Sequence, residues 1–118
     1  MRVSHTFDRE DGSQAKLVVN VQIEPLREGH RIDVVLEALK RPSGSADWQY
    51  VETRATREAI HEMSILEYEE KGRAEMFRVF SRAEILKCTD ESIRLAKEDY
   101  GIRDEPPKPS TSSRMPGL

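Results

Sequence analysis

Apolar and polar residues alternate along the first half of the chain and recur every three or four positions along the second. Val3, His5 and Phe7 begin a first alternation, which the turn residues Asp11-Gly12-Ser13 end. From Lys16 to Glu24 the alternation is strong, with Leu17, Val19, Val21 and Ile23 on one side and Lys16, Asn20, Gln22 and Glu24 on the other. A period of two with β-branched residues predicts a half-buried strand. After Pro25 and a turn at Glu28-Gly29-His30, the pattern resumes as Ile32, Val34, Leu36 and Ala38. The opposite side of that segment holds Arg31, Asp33 and Glu37 but also Val35 and Leu39, so a helix over 33–41 is the competing reading. Pro42-Ser43-Gly44-Ser45 predicts a loop, and the run from Trp48 to Thr53 a fourth strand. Short connections between neighbouring strands imply an antiparallel meander.

The second half predicts helices. Thr56 is placed to N-cap a helix reaching Lys71, with Glu58 in its first turn and Gly72 just past its end. At 100° per residue, Ala59, Ile60, Met63 and Leu66 share one stripe, the expected core face. Met76 to Phe80 reads as a short edge strand, with a further helical turn as the alternative. Ser81-Arg82-Ala83-Glu84 has the form of a capping box. Beyond it Leu86, Thr89, Ile93, Ala96 and Tyr100 follow a 3-4-3-4 spacing, which fits one helix over 82–100 with a narrow apolar seam. The N-cap signal Thr89-Asp90-Glu91 fits two shorter helices meeting near Cys88 equally well, and Gly101 is placed as a C-cap.

These elements give an α+β fold: an antiparallel sheet of three to five strands packed against two or three helices, in a single domain over 1–103. Leu17, Val19, Val21, Ile23, Ile32, Val34 and Leu36 form the expected sheet side of the core, and Ile60, Met63, Leu66, Leu86 and Ile93 the helix side. Residues 104–118 contain four prolines, four Ser/Thr residues and no aromatic residue, which predicts a flexible tail. Within it Pro106-Pro107-Lys108-Pro109 carries a minimal P-x-x-P spacing.

Composition narrows the function classes. Of 118 residues 35% are charged and 36% hydrophobic, with a net charge of −3. Residues 1–54 carry 8 basic and 9 acidic side chains and residues 55–102 carry 8 and 11, so no segment has the concentrated positive field of a non-specific nucleic-acid binder. Cys88 is the only cysteine, and neither an apolar leader core nor an 18-residue apolar run is present in the sequence given. A soluble protein of the reducing cytoplasm is the expectation.

The sequence holds few residues in patterns that carry chemistry. His61-Glu62 begins like a zinc-protease helix, but the position of the second histidine is Ile65. His5, His30 and His61 fall in different elements, and the six glycines never pair within a phosphate-binding loop. No cofactor, metal site or catalytic residue is therefore assigned. Cys88 reads as a small residue at a helix end, and acid pairs such as Glu58 with Glu62 as surface charges. Whether the protein is an enzyme stays open, with the balance against it.

The most informative feature is the back of the 56–71 helix. Arg57, His61, Ser64, Ile65 and Tyr68 lie roughly 140–240° around from Ala59, joined by Arg54 if the helix begins early. A stripe mixing Arg, His, Tyr and Ile has the composition of an interface; a solvated face or one covered by the last helix is the alternative. Trp48 and Tyr50 share a side of the fourth strand, expected to face the core, or else to form an aromatic platform beside Arg54. The leading functional expectation is a non-catalytic interaction domain that binds another protein or itself as a homodimer. The alternatives are a nucleic-acid accessory protein using Trp48, Tyr50, Arg54 and Arg57, and a small ligand-binding domain or enzyme with a sheet–helix pocket near His61.

Overall fold

The computed structural model describes residues 1–71 and 75–102, the side chains of 68–71 excepted. The expected tail at 104–118, Gly72 and the Tyr68 side chain lie outside those described residues.

The fold is α+β. Four strands, β1 (Arg2–Asp8), β2 (Gln14–Pro25), β3 (His30–Arg41) and β4 (Gln49–Arg57), form one antiparallel sheet in the order β1-β2-β3-β4. β3 is a strand over its whole length, which removes the helix alternative at 33–41. A 3-10 turn (Glu58–Ile60) leads into α1 (His61–Lys71), a second 3-10 turn spans Glu75–Arg78, and α2 (Arg82–Tyr100) is one continuous helix. Each hairpin connection contains a hydrogen-bonded turn. Between β1 and β2 the Gly12 amide donates to the Arg9 carbonyl at 3.0 Å, with Gly12 at φ +87°.

The hydrophobic alternation places the core. Leu17, Val19 and Val21 of β2 stand beside Ala38, Leu36 and Val34 of β3 on one face, and all six are buried. α2 lies against that face with Ile85, Cys88, Thr89, Ser92, Ile93 and Ala96 turned inward. The buried hydroxyls are satisfied within the helix: Thr89 donates to the Ile85 carbonyl and Ser92 to the Cys88 carbonyl, both at 2.7 Å. Since the single Ser92 proton is thus used, the 2.8 Å contact with His5 Nε2 is a ring N–H donating to Ser92 Oγ, which ties β1 to α2. The capping box is complete, with Glu84 N donating to Ser81 Oγ and Ser81 N to Glu84 Oε1. Gly101 ends the helix in the left-handed region.

Three expectations are corrected. Thr56 belongs to β4 and caps nothing; its hydroxyl donates to Ser64 Oγ at 3.2 Å, and the helix begins after the 3-10 turn. Residues 76–80 are not a strand, because Met76 and Phe80 are both buried at helical spacing and the Glu52 carboxylate accepts the Met76 amide at 2.9 Å. Ile60, Met63 and Leu66 are not in the core but exposed, and Ile65, Met76, Phe80 and Ile85 fill the space expected for them.

Candidate interaction surface

β4 is an edge strand with one irregularity that decides which side chains it shows. Leu39 pairs with Tyr50 while the adjacent Ala38 pairs with Glu52, so Val51 is an extra residue in the ladder. Without it, Tyr50 would share the helix-covered face with Glu52. With it, Tyr50 crosses to the other face, which no described helix covers. This corrects the expectation that Trp48 and Tyr50 face the core. Tyr50 is 62% exposed and donates to Thr53 Oγ1 at 2.8 Å. The Trp48 ring lies under two cations, with Lys16 Nζ 4.4 Å and Arg41 Cζ 5.2 Å from its centroid.

Arg54 projects to the covered side, where it pairs with Glu52 at 2.6 Å. Arg57 faces the open side beside Asp33, at 3.5 Å. Two polar contacts tie the following segment to its neighbours: Ser64 meets Thr56 of β4, and Glu58 meets Lys97 of α2 at 2.5 Å. The roll of this segment turns His61 and Ile65 inward, 4% and 0% exposed. It turns Ile60, Met63 and Leu66 outward, 50%, 72% and 40% exposed. The helix therefore packs by its more polar side and shows its apolar stripe to solvent.

The eight residues singled out from the sequence are thus not brought together. Trp48, Tyr50 and Arg57 lie on the open face and Arg54 on the covered one. His61 and Ile65 are buried, Ser64 is half-buried against β4, and the Tyr68 side chain is not described. The residues missed are Ile60, Met63 and Leu66, together with Val35 and Ala55. These last two, with Asp33, Arg57 and Ile60, line a largely apolar depression of about 350 Å³ at the β4 edge. Val35 and Leu39 were the available signal, since both interrupt the polar side of β3.

Two further concavities among the described residues are lined by charged groups. The larger, about 580 Å³, has Arg9, Lys40, Arg41 and Arg78 on its walls. Most of that charge is already engaged: Arg9 with Glu84, Arg78 with Glu75, and Arg41 with Gln14 and Trp48. The other, about 350 Å³, lies between α1 and α2 among Glu58, Glu62, Asp90, Arg94 and Lys97. His61 borders it, yet both ring nitrogens are buried and make no hydrogen bond, and burial pushes its pKa down against the opposing pull of Asp90 and Glu62. Among the described residues no three His, Cys, Asp or Glu side chains are grouped as metal ligands, and no helix is long and apolar enough to cross a membrane.

Fold and surface together define a helix-backed antiparallel meander with one sheet face that no described helix covers. No protein-family model, curated protein or solved structure matches this chain.

Proposed function

We propose that the protein is a non-catalytic interaction module of the reducing cytoplasm, which binds another protein or a second copy of itself at the corner where α1 meets the β4 edge. The observation that carries this is the roll of α1: Met63, Ile60 and Leu66 are exposed while His61 is sealed inside. Burying one such apolar side chain contributes roughly 1.5–3 kcal/mol, so leaving three in water while covering an imidazole is unfavourable unless a partner covers the ridge. Arg57 at the rim and Tyr50 on the same open face add residue types enriched at interfaces. The single cysteine, buried and unpaired, accords with a reducing compartment. A nucleic-acid reading has less behind it, because Trp48 already contacts Lys16 and Arg41, and Arg54 is turned to Glu52.

The test is a photo-crosslinking side chain at position 63, with one at the exposed Glu91 of α2 as control, both in the native host. A discrete adduct from position 63 and none from 91 is the expected result. The same diffuse labelling from both positions removes the reading.

A further inference from the structure

β4 closes one side of the sheet, and among the described residues the strand that pairs with it is β3. An edge of this kind is a template for another strand, which proteins blunt with charge, proline, bulges or covering elements. Here the bulge lies at Val51, which leaves Thr53 to Arg57 regular. That regular stretch flanks the apolar depression, whose floor of Val35 and Ala55 runs out at the edge itself.

The geometry points to a second copy of this chain as the occupant, its β4 paired antiparallel with the first about a twofold axis at Ala55. The proposal deepens the interaction reading and rests on it. The register follows from the side chains. Strand partners directly opposite share a face, so an axis at Ala55 sets Ala55 against its own copy and Thr53 against Arg57. On the open face the two depressions merge into one strip, Val35-Ala55 of one copy continuing into Ala55-Val35 of the other, with an Ile60 at each end.

Charge completes the match. Glu37 is the β3 neighbour of Thr53, and Asp33 that of Arg57. In this register each Arg57 has its own Asp33 on one side and, two strands away, Glu37 of the other copy. That separation is about 10 Å between Cα atoms, a gap the two long side chains can bridge. An axis at Thr53 runs the ladder into the Val51 bulge and is the poorer choice. A five-residue ladder with one apolar strip is a small interface, of the weak and transient class.

Sedimentation equilibrium across about 1 to 500 µM, the span in which weak interfaces dissociate, tests this. The mean mass should rise from 13.6 kDa toward twice that value. Ala55→Lys, which places two ammonium groups at the axis, should hold the chain at the lower mass, and Arg57→Glu should weaken association at least tenfold. Under mild oxidation Ala55→Cys should cross-link, since opposed Cβ atoms stand about 5 Å apart. Thr53→Cys should not, its copy lying about 14 Å away. A constant mass overturns the proposal, as does a dimer indifferent to Ala55→Lys or one cross-linked through Thr53→Cys. Should either cysteine variant misfold, the mass of the unaltered chain still decides. A monomer whose position-63 probe still traps a protein ends self-pairing alone; a monomer that traps nothing ends both readings.

Discussion

Arg9 and Glu84, 75 residues apart, meet in a two-pronged ion pair, with Nη1 to Oε2 at 2.8 Å and Nη2 to Oε1 at 3.0 Å. Arg9 also donates to the Val79 carbonyl at 2.8 Å, and Glu84 also accepts the Ser81 amide. One clasp therefore joins the β1–β2 turn to the capped start of α2. The Arg9 guanidinium holds the Glu84 carboxyl below its ordinary range, with burial opposing. A depressed carboxylate stabilises the fold above its unfolded pKa of about 4.3, and that stability is lost as pH falls through the lower folded value. Glu84→Gln should cost about 1–2 kcal/mol at neutral pH. Urea midpoints of variant and parent should converge below the folded value; a gap that stays constant down to pH 3 would count against the clasp.

His61 gives a pH dependence of the same sign, in a higher pH window, from an unpaired group. Glu62 on its own helix, Asp90 on α2, and the neighbouring Glu58, Arg94 and Lys97 are the charges around it, and burial outweighs the acids to depress its pKa. The unfolded chain then takes up a proton more readily, so stability falls as pH drops below about 6.5 and levels off beneath the folded value. His61→Leu should flatten this segment of the stability profile, and at pH 7 should be neutral or stabilising by about 1 kcal/mol. A variant profile parallel to the parent between pH 7 and 5 sinks the argument.

The roll of α1 makes two apolar neighbours unequal. Ile65→Ala empties a fully buried site and should cost about 2–5 kcal/mol. Met63→Ala, at an exposed position, should stay within about 0.5 kcal/mol. The pattern expected from sequence alone reverses the two, so one pair of denaturation curves separates them.

Most of the sheet was legible in the sequence because β2 buries one face, and a period of two then fixes every side chain on it. Leu17, Val19, Val21, Val34 and Leu36 all take the expected side. The capping box at Ser81 was equally readable, being a local hydrogen-bond pattern. The candidate site was not. α1 and the 3-10 turn before it have apolar residues on both sides, Ile65 on one and Ile60, Met63 and Leu66 on the other. Their roll goes with the contacts Thr56–Ser64 and Glu58–Lys97 to other elements, which no periodicity records. The side taken by Tyr50 depended on one extra residue at Val51, a shift of register that leaves the local composition unchanged.

Cys88 should be inert in the folded protein. It is buried against the sheet, and desolvation, aided by Glu84 and Glu91, pushes its thiol up to about 11. Thiolate being the reactive form, a disulfide reagent at pH 8 should label it roughly 100-fold more slowly than a free thiol, with full labelling once urea unfolds the chain. Fast labelling without denaturant would place the sulfur at the surface.

The two cations over Trp48 also make the only tryptophan of the chain a one-sided optical reporter. Iodide is drawn toward Lys16 and Arg41 while caesium is repelled, so at low ionic strength the emission should be quenched far better by the anion. The indole sits on the open face, away from His61 and the α1–α2 contact. Its signal should therefore stay silent when acid loosens α1, and the helix can be followed by circular dichroism against a steady fluorescent background.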